Sequence, residues 1–380
     1  MYRKSKATRL VDDLISGDIS RRDFHKTLGA AGLALAGTTT MAGSAFAQNT
    51  NPADLVVFEW AGYELPEFFP AYVEKFGTEP TFSLFAEEEE ALQKLRSGFP
   101  TDISHPCSGS VARWNDSGAI RPIDISKIDA WDDIFPTTKE IRGVQIDGEY
   151  YFMPWDWGNS SILYRPDLLP LTPEEESYDV LLRPELQGKI AMFDSVDSTF
   201  AVGGLLAGAD DIFAMTDEEI EAATQIVRQL HGNVRYYWAS PTEFEQSMAA
   251  GEVVAAWSWN SSIIELKNQG IDVKFMNPKE GIMTWICGFT VMTSGDSADD
   301  LIYDYLNATM EPRAGQYLIE AYGYGHSNEK TYELVDEEIL ESLGIVDPVA
   351  LMAQGNFYDE IPPDIREKMI IKFDEVKAGF

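Results

Sequence analysis

Aromatic and acidic side chains recur together along this sequence, and together they could bind an organic cation. The face of a tryptophan ring attracts a positive charge by about 0.5–2 kcal/mol. A carboxylate beside such rings would accept hydrogen bonds from an ammonium group. For each ring taken singly, plain core packing is the alternative. The aromatic candidates are Trp60, Tyr63, Trp155, Trp157, Trp259, Trp285 and Tyr324, and the nearby acids are Glu59, Asp156, Asp194 and Asp197.

The residues that most enzymes need are sparse. After residue 47 the histidines are His105, His231 and His326. The sequence contains no nucleophile elbow, no phosphate-binding loop and no metal-ligand spacing. It therefore predicts a binding protein rather than an enzyme, with no cofactor and no bound metal.

One stretch near the middle, residues 150–167 (YYFMPWDWGNSSILYRPD), holds an acid between two tryptophans. Residues 150–153 are predicted as an aromatic strand that ends at Pro154, and residues 162–164 as a second short strand. This arrangement favours a crossing between two lobes beside a ligand cleft, and an ordinary buried strand pair is the alternative. The residues between the two predicted strands include Trp155, Asp156, Trp157 and Gly158.

The segments before this stretch alternate between strand and helix patterns. Such alternation predicts an α/β fold with a doubly wound parallel sheet, whose ligands lie beyond the carboxyl ends of the strands. The predicted strands are residues 54–60, 80–85 and 101–105, and the predicted helices are residues 66–76 and 87–96. The candidate residues at these strand ends are Trp60, Tyr63, Cys107 and Ser108.

After residue 167 the same pattern begins again. Residues 188–193 form a strand followed by Asp194, Ser195 and Ser198. The long apolar segment 282–292 is predicted to be a return crossing. A chain that crosses between two lobes more than once is typical of a hinged protein that closes on a ligand. The other predicted elements are a helix at 216–232 with a capping box, a helix opened by a Ser240 cap and Pro241, a strand at 253–257, and helices near 301–322 and 365–376.

The N-terminal region and the charge both bear on location. Residues 1–47 carry Arg21 and Arg22, then a weakly apolar run and small residues at 45–47, which predicts a twin-arginine export signal. The expected location is the periplasm. The formal net charge is −34 at pH 7, which disfavours nucleic-acid binding and attracts cations. Solubility in a salty habitat is an alternative reason for this charge.

An ordered set of motifs resembles the periplasmic spermidine/putrescine-binding proteins of ABC importers. The resemblance implies a two-lobed periplasmic-binding-protein fold with doubly wound sheets and a hinge of crossing strands. It also implies a monomer that delivers a small amine to an inner-membrane ABC permease. We expect lobe 1 at residues 48–157 plus 286–328, and lobe 2 at residues 158–285 plus 329–380. The motifs are residues 54–63, residues 154–164, Trp259–Asn260, residues 279–281 followed by Trp285, and Gly323–Tyr324.

The resemblance carries over the aromatic ligand contacts but not the acidic ones. Where that family has carboxylates, this chain has Ser195, Ser198 and Cys287. Because an unpaired buried ammonium costs several kcal/mol, Asp156 or Asp194 would have to replace them, or the ligand would differ. The full set of ligand-binding candidates is Trp60, Tyr63, Cys107, Ser108, Asp156, Trp157, Asp194, Ser195, Ser198, Trp259, Trp285, Cys287 and Tyr324.

The implied fold also brings the chain's two cysteines together. It would lay the strand that contains Cys287 antiparallel beside the end of the third strand, where Cys107 lies. In an oxidising periplasm this predicts a disulfide between them at the pocket floor, and two free buried thiols are the alternative.

A ferric-ion-binding relative is the main rival within the same fold. The adjacent Tyr236 and Tyr237 are a pair of the kind that such proteins use as ligands. The pair lies in an aromatic run that is typical of a strand, and no histidine or glutamate is evidently placed to complete the metal shell. The small amine therefore remains the preferred ligand.

Overall fold

The computed structural model describes residues 48–85 and 88–379. The predicted export signal at residues 1–47 lies outside the described residues. In chain order the strands are β1 Val56–Trp60, β2 Thr81–Phe85, β3 Ile103–Ser104, β4 Ile120–Arg121, β5 Gln145–Ile146, β6 Glu149–Tyr150, β7 Met153–Tyr164, β8 Ile190–Phe193, β9 Val234–Trp238, β10 Ala255–Trp259, β11 Lys274–Phe275, β12 Met283–Met292, β13 Gly325–His326 and β14 Asn356–Phe357.

The helices surround these strands. They are α1 Pro70–Phe76, α2 Glu88–Arg96, α3 Ser108–Asp116, α4 Pro136–Lys139, α5 Val196–Ala207, α6 Asp217–His231, α7 Pro241–Ala249, α8 Ser261–Asn268, α9 Asp299–Thr309, α10 Pro312–Tyr322, α11 Glu337–Leu343, α12 Pro348–Gln354 and α13 Pro363–Lys377.

The main sheet has the strand order β2-β1-β3-β12-β7-β10-β8-β9. At one end β1 pairs in parallel with β2 and β3, and at the other end β8 pairs in parallel with β9 and β10. The antiparallel pair of β7 and β12 joins the two parallel halves. The predicted doubly wound halves and the two crossing strands are therefore confirmed.

The crossing strand β7 differs from the prediction in being continuous. It runs for 12 residues, all of them buried, instead of breaking into two short strands around Pro154. Its polar middle stays extended because its polar groups have buried partners. The Asn159 N–H donates to Asn260 Oδ1 at 3.0 Å, and the Thr284 hydroxyl donates to Asn159 Oδ1 at 2.9 Å. Pro154 lies at the start of the strand, where a missing N–H costs little.

Two helix starts test the predicted capping signals. Thr216 caps α6 and forms the predicted capping box with Glu219. The helix α7 begins at Pro241 as predicted, but the Ser240 side chain makes no capping hydrogen bond. Instead, the Glu243 carboxylate accepts the Ala239 N–H at 3.3 Å, which satisfies a backbone donor just before the helix.

Separate apolar cores lie on the two halves of the sheet. One core packs around β1 and β3 with helices α1 and α9, and another packs around β8 and β10. A third core joins Phe58, Trp157 and Leu340 across the crossing strands. Residues 49–380 form one compact unit by their contacts, since β7 and β12 continue through both halves. The lobe boundaries stay a prediction.

Candidate functional site

The register of β7 with its two neighbours places several candidate residues on one face of the sheet. Asp156 and Gly158 lie two residues apart on β7 and so point to the same side. Directly opposite residues on paired strands also share a face. Cys287 lies opposite Asp156, Trp285 lies opposite Gly158, and Trp259 of β10 lies opposite Ser160. We call this surface, formed by Asp156, Gly158, Ser160, Trp259, Trp285 and Cys287, the site face.

Gly158 has a steric reason to be glycine. A Cβ atom at this position would collide with the indole ring of Trp285, which covers the strand there. The Trp285 ring also meets the ring of Tyr324 edge to face, with centroids 4.8 Å apart. The Tyr324 hydroxyl donates to Ser261 Oγ at 3.0 Å. Two of the aromatic rings expected at the site are therefore packed together over the crossing strand.

A β-bulge lies beside Asp156. The pairing of β7 with β12 shifts between Cys287 and Gly288, and this leaves Trp155 without a partner on β12. Bulges bend a strand and redirect its side chains, and they are common near functional sites. Here the bulge separates Trp155, which packs in the core around β1 and β3, from the site face.

The structure joins Cys107 to Cys287 by a disulfide, which is the pairing that the sequence predicts. Because Cys287 lies opposite Asp156, the disulfide borders the site face. Cys107 is also the N-cap residue of α3, and its N–H donates to the Glu88 carboxylate at 2.6 Å. The Ser110 hydroxyl donates to the same carboxylate at 2.8 Å. Burial raises the pKa of Glu88 against these hydrogen bonds.

At the Asp156 end of the site face lies a buried polar network that was not predicted from the sequence. His105 Nδ1 is 2.6 Å from Glu59 Oε1, and His105 Nε2 is 3.0 Å from Asp156 Oδ1. The Tyr63 hydroxyl donates to Asp156 Oδ2 at 3.2 Å. Relative exposures are 1% for Glu59, 0% for His105 and 1% for Asp156, so water is excluded from this network.

The electrostatics of the network favour a charged histidine. Burial alone would lower the pKa of His105, but the carboxylates of Glu59 and Asp156 outweigh it and raise that pKa to about 10. Burial is also the main cause that raises the pKa of Glu59, against the influence of His105. The pKa of Tyr63 is raised by burial and then by Asp156 and Tyr324, so this phenol stays protonated at neutral pH.

The other acids expected near the ligand are paired with basic residues of the C-terminal helix α13. Asp194 is exposed and lies 2.9 Å from Lys377 Nζ. Asp197 lies 3.1 Å from Arg366 Nε. The charges of Asp194 and Asp197 are therefore partly neutralised within the protein.

Hydroxyl groups occupy the neighbouring surface. Ser195 caps α5 through a hydrogen bond from the Ser198 N–H, 3.3 Å long. The Ser198 hydroxyl lies 3.4 Å from the hydroxyl of Tyr358, a residue that the sequence analysis did not select. Burial raises the pKa of Tyr358 to about 12, while hydrogen bonds with Ser198 and Ser160 oppose the rise. Tyr358 thus links α5 to the site face at Ser160.

The structure does not bring every candidate to the site face. Trp157 is fully buried in the core with Phe58 and donates its indole N–H to Tyr332 Oη at 3.1 Å. It lies between Asp156 and Gly158 on β7, so its side chain points to the opposite side of the sheet. Trp60 packs on Phe85 at the end of β1, with ring centroids 4.5 Å apart. The remaining candidate, Ser108, is buried at the first position of α3, next to the disulfide.

An open cavity of about 610 Å³ adjoins Tyr324, one ring of the aromatic pair. Tyr324 is the candidate ligand residue that lines it, together with residues of α7 and α8. One of these is Glu245, which is buried and accepts a hydrogen bond from the Ser262 hydroxyl at 2.6 Å. The cavity and the site face together present aromatic rings, hydroxyl oxygens and acidic groups. This combination suits a small organic cation.

The tyrosine pair considered for ferric iron lacks the geometry of a metal site. The Tyr236 hydroxyl donates to Ser247 Oγ at 2.8 Å, whereas Tyr237 Oη lies 3.0 Å from His231 Nδ1. Adjacent residues of β9 point to opposite faces, so the two phenols do not converge. Within residues 48–85 and 88–379, no group of three or more His, Cys, Asp or Glu side chains could hold a metal ion.

Comparison with known proteins agrees with this fold. The profile of the bacterial extracellular solute-binding proteins matches residues 71–341. The putrescine-binding periplasmic protein PotF of Escherichia coli is 24% identical over 86% of this chain and 91% of that protein. The putrescine-binding periplasmic protein SpuD of Pseudomonas aeruginosa is 21% identical over 94% of this chain and 99% of that protein.

Comparison with solved structures shows the same overall architecture in other proteins. The spermidine/putrescine ABC transporter substrate-binding protein PotD of Streptococcus pneumoniae superposes with a TM-score of 0.76 at 21% identity, over 86% of this chain and 98% of that one. The predicted two-lobed periplasmic-binding-protein fold is therefore confirmed. No helix in the described part of the chain is both long and apolar enough to cross a membrane.

Proposed function

The chain belongs to the bacterial extracellular solute-binding protein family, and we propose that it is the periplasmic solute-binding component of an ABC importer. Its ligand is a polyamine or a related small amine, bound in the cleft beside the crossing strands. The protein acts as a monomer, hands its solute to an inner-membrane permease, and performs no chemistry on it. The names of the curated relatives, which bind putrescine or spermidine, support this assignment.

The observation that carries the proposal is the aromatic site face around Asp156. Trp285 and Tyr324 meet edge to face above Gly158, and Trp259 lies on the same face of the sheet. Such rings attract an ammonium group and cover the methylene chain attached to it. Tyr63, whose hydroxyl donates to the buried Asp156, adds an oxygen acceptor at one end of this surface. The combination fits an alkyl amine better than a sugar or an anion.

The same surface argues for an amine with few charges. The carboxylates of Glu59 and Asp156 contact His105, and those of Asp194 and Asp197 contact basic residues of α13. Each further ammonium on the ligand would therefore have to compete with a cation of the protein. Putrescine, a monoamine or an amine with one additional acceptor group is favoured over longer polyamines.

Ferric iron is the second candidate, and the site favours it less. The two tyrosines that would bind it have other partners on opposite faces of β9. A red-brown charge-transfer band in protein loaded with ferric citrate would support this alternative.

A binding screen tests the proposed function. Isothermal titration and thermal shift of the protein lacking residues 1–47 would be measured with putrescine, spermidine, butylamine, amino acids and ferric citrate. A ligand at a hundred times its Kd adds about 2.7 kcal/mol to the free energy of unfolding. We expect saturable binding of at least one amine. Because a cation–π contact contributes about 0.5–2 kcal/mol, Trp285→Leu should weaken that binding by roughly 2- to 30-fold.

The matched control is Tyr236→Phe, which changes an aromatic side chain on β9 that has other partners. It should leave amine affinity unchanged. Binding of an amino acid or ferric citrate, with no binding of any amine, would contradict the proposal.

A further inference from the structure

The buried network at the Asp156 end of the site face joins four side chains in one row. Its members are Glu59, His105, Asp156 and Tyr63, joined by contacts of 2.6, 3.0 and 3.2 Å. They come from the ends of strands β1 and β3, from β7, and from the loop after β1. Three strands and one loop of the fold therefore meet at this row of side chains.

With Glu59 and Asp156 both ionised, the contacts of His105 leave one arrangement of its hydrogens. An ionised carboxylate can only accept hydrogen bonds, and each ring nitrogen of His105 faces one. Both ring nitrogens therefore donate, which makes the ring an imidazolium. The ring is stacked on Phe289, with centroids 4.7 Å apart, and meets the edge of Trp155 at 5.2 Å. This packing prevents the ring from turning away from either carboxylate.

Asp156 in turn orients the hydroxyl group of Tyr63. Asp156 Oδ1 accepts from His105, and Asp156 Oδ2 accepts from the Tyr63 hydroxyl. With its hydrogen directed at Asp156, the Tyr63 oxygen has only lone pairs left for a ligand. The Tyr324 hydroxyl is oriented in a similar way, because it donates to Ser261 Oγ. The Tyr63 oxygen can therefore accept a hydrogen bond from a solute but cannot donate one.

We propose that His105 is a positioning residue that, through Asp156, holds the Tyr63 hydroxyl as an acceptor and so makes the cleft select a solute with an N–H donor. This inference rests on the proposed function and deepens it. The two carboxylates and one imidazolium leave a single net negative charge behind Tyr63. The end of the cleft at Tyr63 therefore suits one ammonium group, and it discriminates against a carboxylate, whose oxygens need donors.

A double-mutant cycle between His105 and the Tyr63 hydroxyl tests the proposal. The variants are His105→Gln, Tyr63→Phe and the double variant, with putrescine and butylamine as probes in isothermal titration. Phenylalanine keeps the ring contact between Tyr63 and His105, so the cycle reports on the hydroxyl alone. We expect Tyr63→Phe to weaken amine binding about tenfold in the wild-type background, and less than about threefold in the His105→Gln background.

Equal losses in the two backgrounds would overturn the proposal. Asp156→Asn is a second route if His105→Gln does not fold. The asparagine amide can donate to the Tyr63 oxygen. Amine binding should therefore fall by about as much as in Tyr63→Phe. Tyr236→Phe should leave affinity unchanged in every background, because its hydroxyl bonds to Ser247.

A measurement without ligand separates this inference from the proposed function. In ¹⁵N-histidine NMR spectra at pH 8, the ring of His105, assigned by its loss in His105→Gln, should have both nitrogens protonated. If no tested amine binds but this signal is present, the proposed ligand is wrong and the network is as described. If only one nitrogen is protonated, the positioning role of His105 is wrong even where amines bind.

Discussion

Two histidines, both fully buried, differ in charge at neutral pH because of the residues that they contact: His105 is positively charged and His326 is neutral. His105 lies between two carboxylates, which raise its pKa to about 10. His326 contacts the Thr331 hydroxyl at 2.7 Å and the Thr309 carbonyl at 3.2 Å, and burial lowers its pKa to about 3. Since the carbonyl can only accept, His326 donates to it from Nε2 and accepts the Thr331 hydroxyl at Nδ1.

These shifts predict a maximum in stability near neutral pH. The ordinary pKa of histidine is about 6.5. The raised pKa of His105 adds stability that is complete below pH ~6.5 and is lost as the pH rises towards 10. The lowered pKa of His326 adds stability that is present above pH ~6.5 and is lost as the pH falls. Each group contributes a slope of at most about 1.4 kcal/mol per pH unit to the free energy of unfolding.

Urea unfolding curves from pH 5 to 9.5 would measure both slopes. We expect His326→Gln to flatten the curve between pH 5 and 6.5, and His105→Gln to flatten it between pH 7 and 9.5. Each variant serves as the control for the other. An unchanged acid slope in His326→Gln, or an unchanged alkaline slope in His105→Gln, would contradict the charge states given to the two rings.

The elements of the fold could be predicted from local patterns, whereas the polar contacts of the site could not. Alternating strands and helices, and the length of the segment at 282–292, were enough to predict both parallel halves and the return crossing. His105, however, contacts acids 46 and 51 residues away. Asp194 meets Lys377 across 183 residues. Such contacts depend on the final packing of side chains, which periodicity does not encode.

A signal for the buried network was nonetheless present in the sequence. Glu59 and His105 each lie at the end of a strand that was predicted to be parallel to the other. The carboxyl ends of parallel strands lie at one edge of a sheet. An acid and a histidine at these positions could therefore have been predicted to lie close together. The continuous strand β7 was harder to predict, because its polar middle is stabilised by Asn260 and Thr284 from distant elements.

The disulfide links two elements that are far apart in the chain. It joins the start of α3 to strand β12, with a sequence separation of 180. Closing so long a loop restricts the unfolded chain strongly, and removal of a native disulfide typically costs about 2–5 kcal/mol. We expect Cys107→Ser combined with Cys287→Ser to lower the free energy of unfolding by this amount, as measured by urea denaturation. Amine affinity should also fall, because Cys287 lies opposite Asp156.

Reduction of the wild-type protein should reproduce the effect of the double serine variant. The variant itself should be insensitive to the reductant, which serves as the control. Titration of free thiols in the native protein without reductant should detect none. Two reactive thiols in that titration, or equal stability of the variant and the wild type, would contradict the cross-link.

At the scale of the whole molecule, the net charge of the protein influences the rate at which a cationic solute associates. The formal net charge of −34 creates a negative potential over the surface. Acidic residues also line the cavity beside Tyr324, where Glu245 and Glu265 contribute to the wall. Such a potential raises the association rate of a cation by 10- to 10³-fold at low ionic strength. Since the carboxylates of the site are already paired, we infer that this long-range attraction assists capture more than it holds the bound solute.

If surface charge speeds association while contact residues hold the bound amine, salt should affect the association and dissociation rates differently. Stopped-flow tryptophan fluorescence would follow the binding of putrescine, or of whichever amine the screen identifies, from 0.01 to 0.5 M NaCl. The Debye length falls from about 30 Å at 0.01 M to below 10 Å above 0.1 M, so the association rate should fall at least about tenfold. The dissociation rate should change little, because Asp156, Tyr63 and the rings act at contact distance, where salt screens less. Butylamine, which carries one positive charge where putrescine carries two, is the control, and its association rate should fall less than that of putrescine. A salt effect mainly on dissociation would mean instead that unscreened surface carboxylates hold the bound amine.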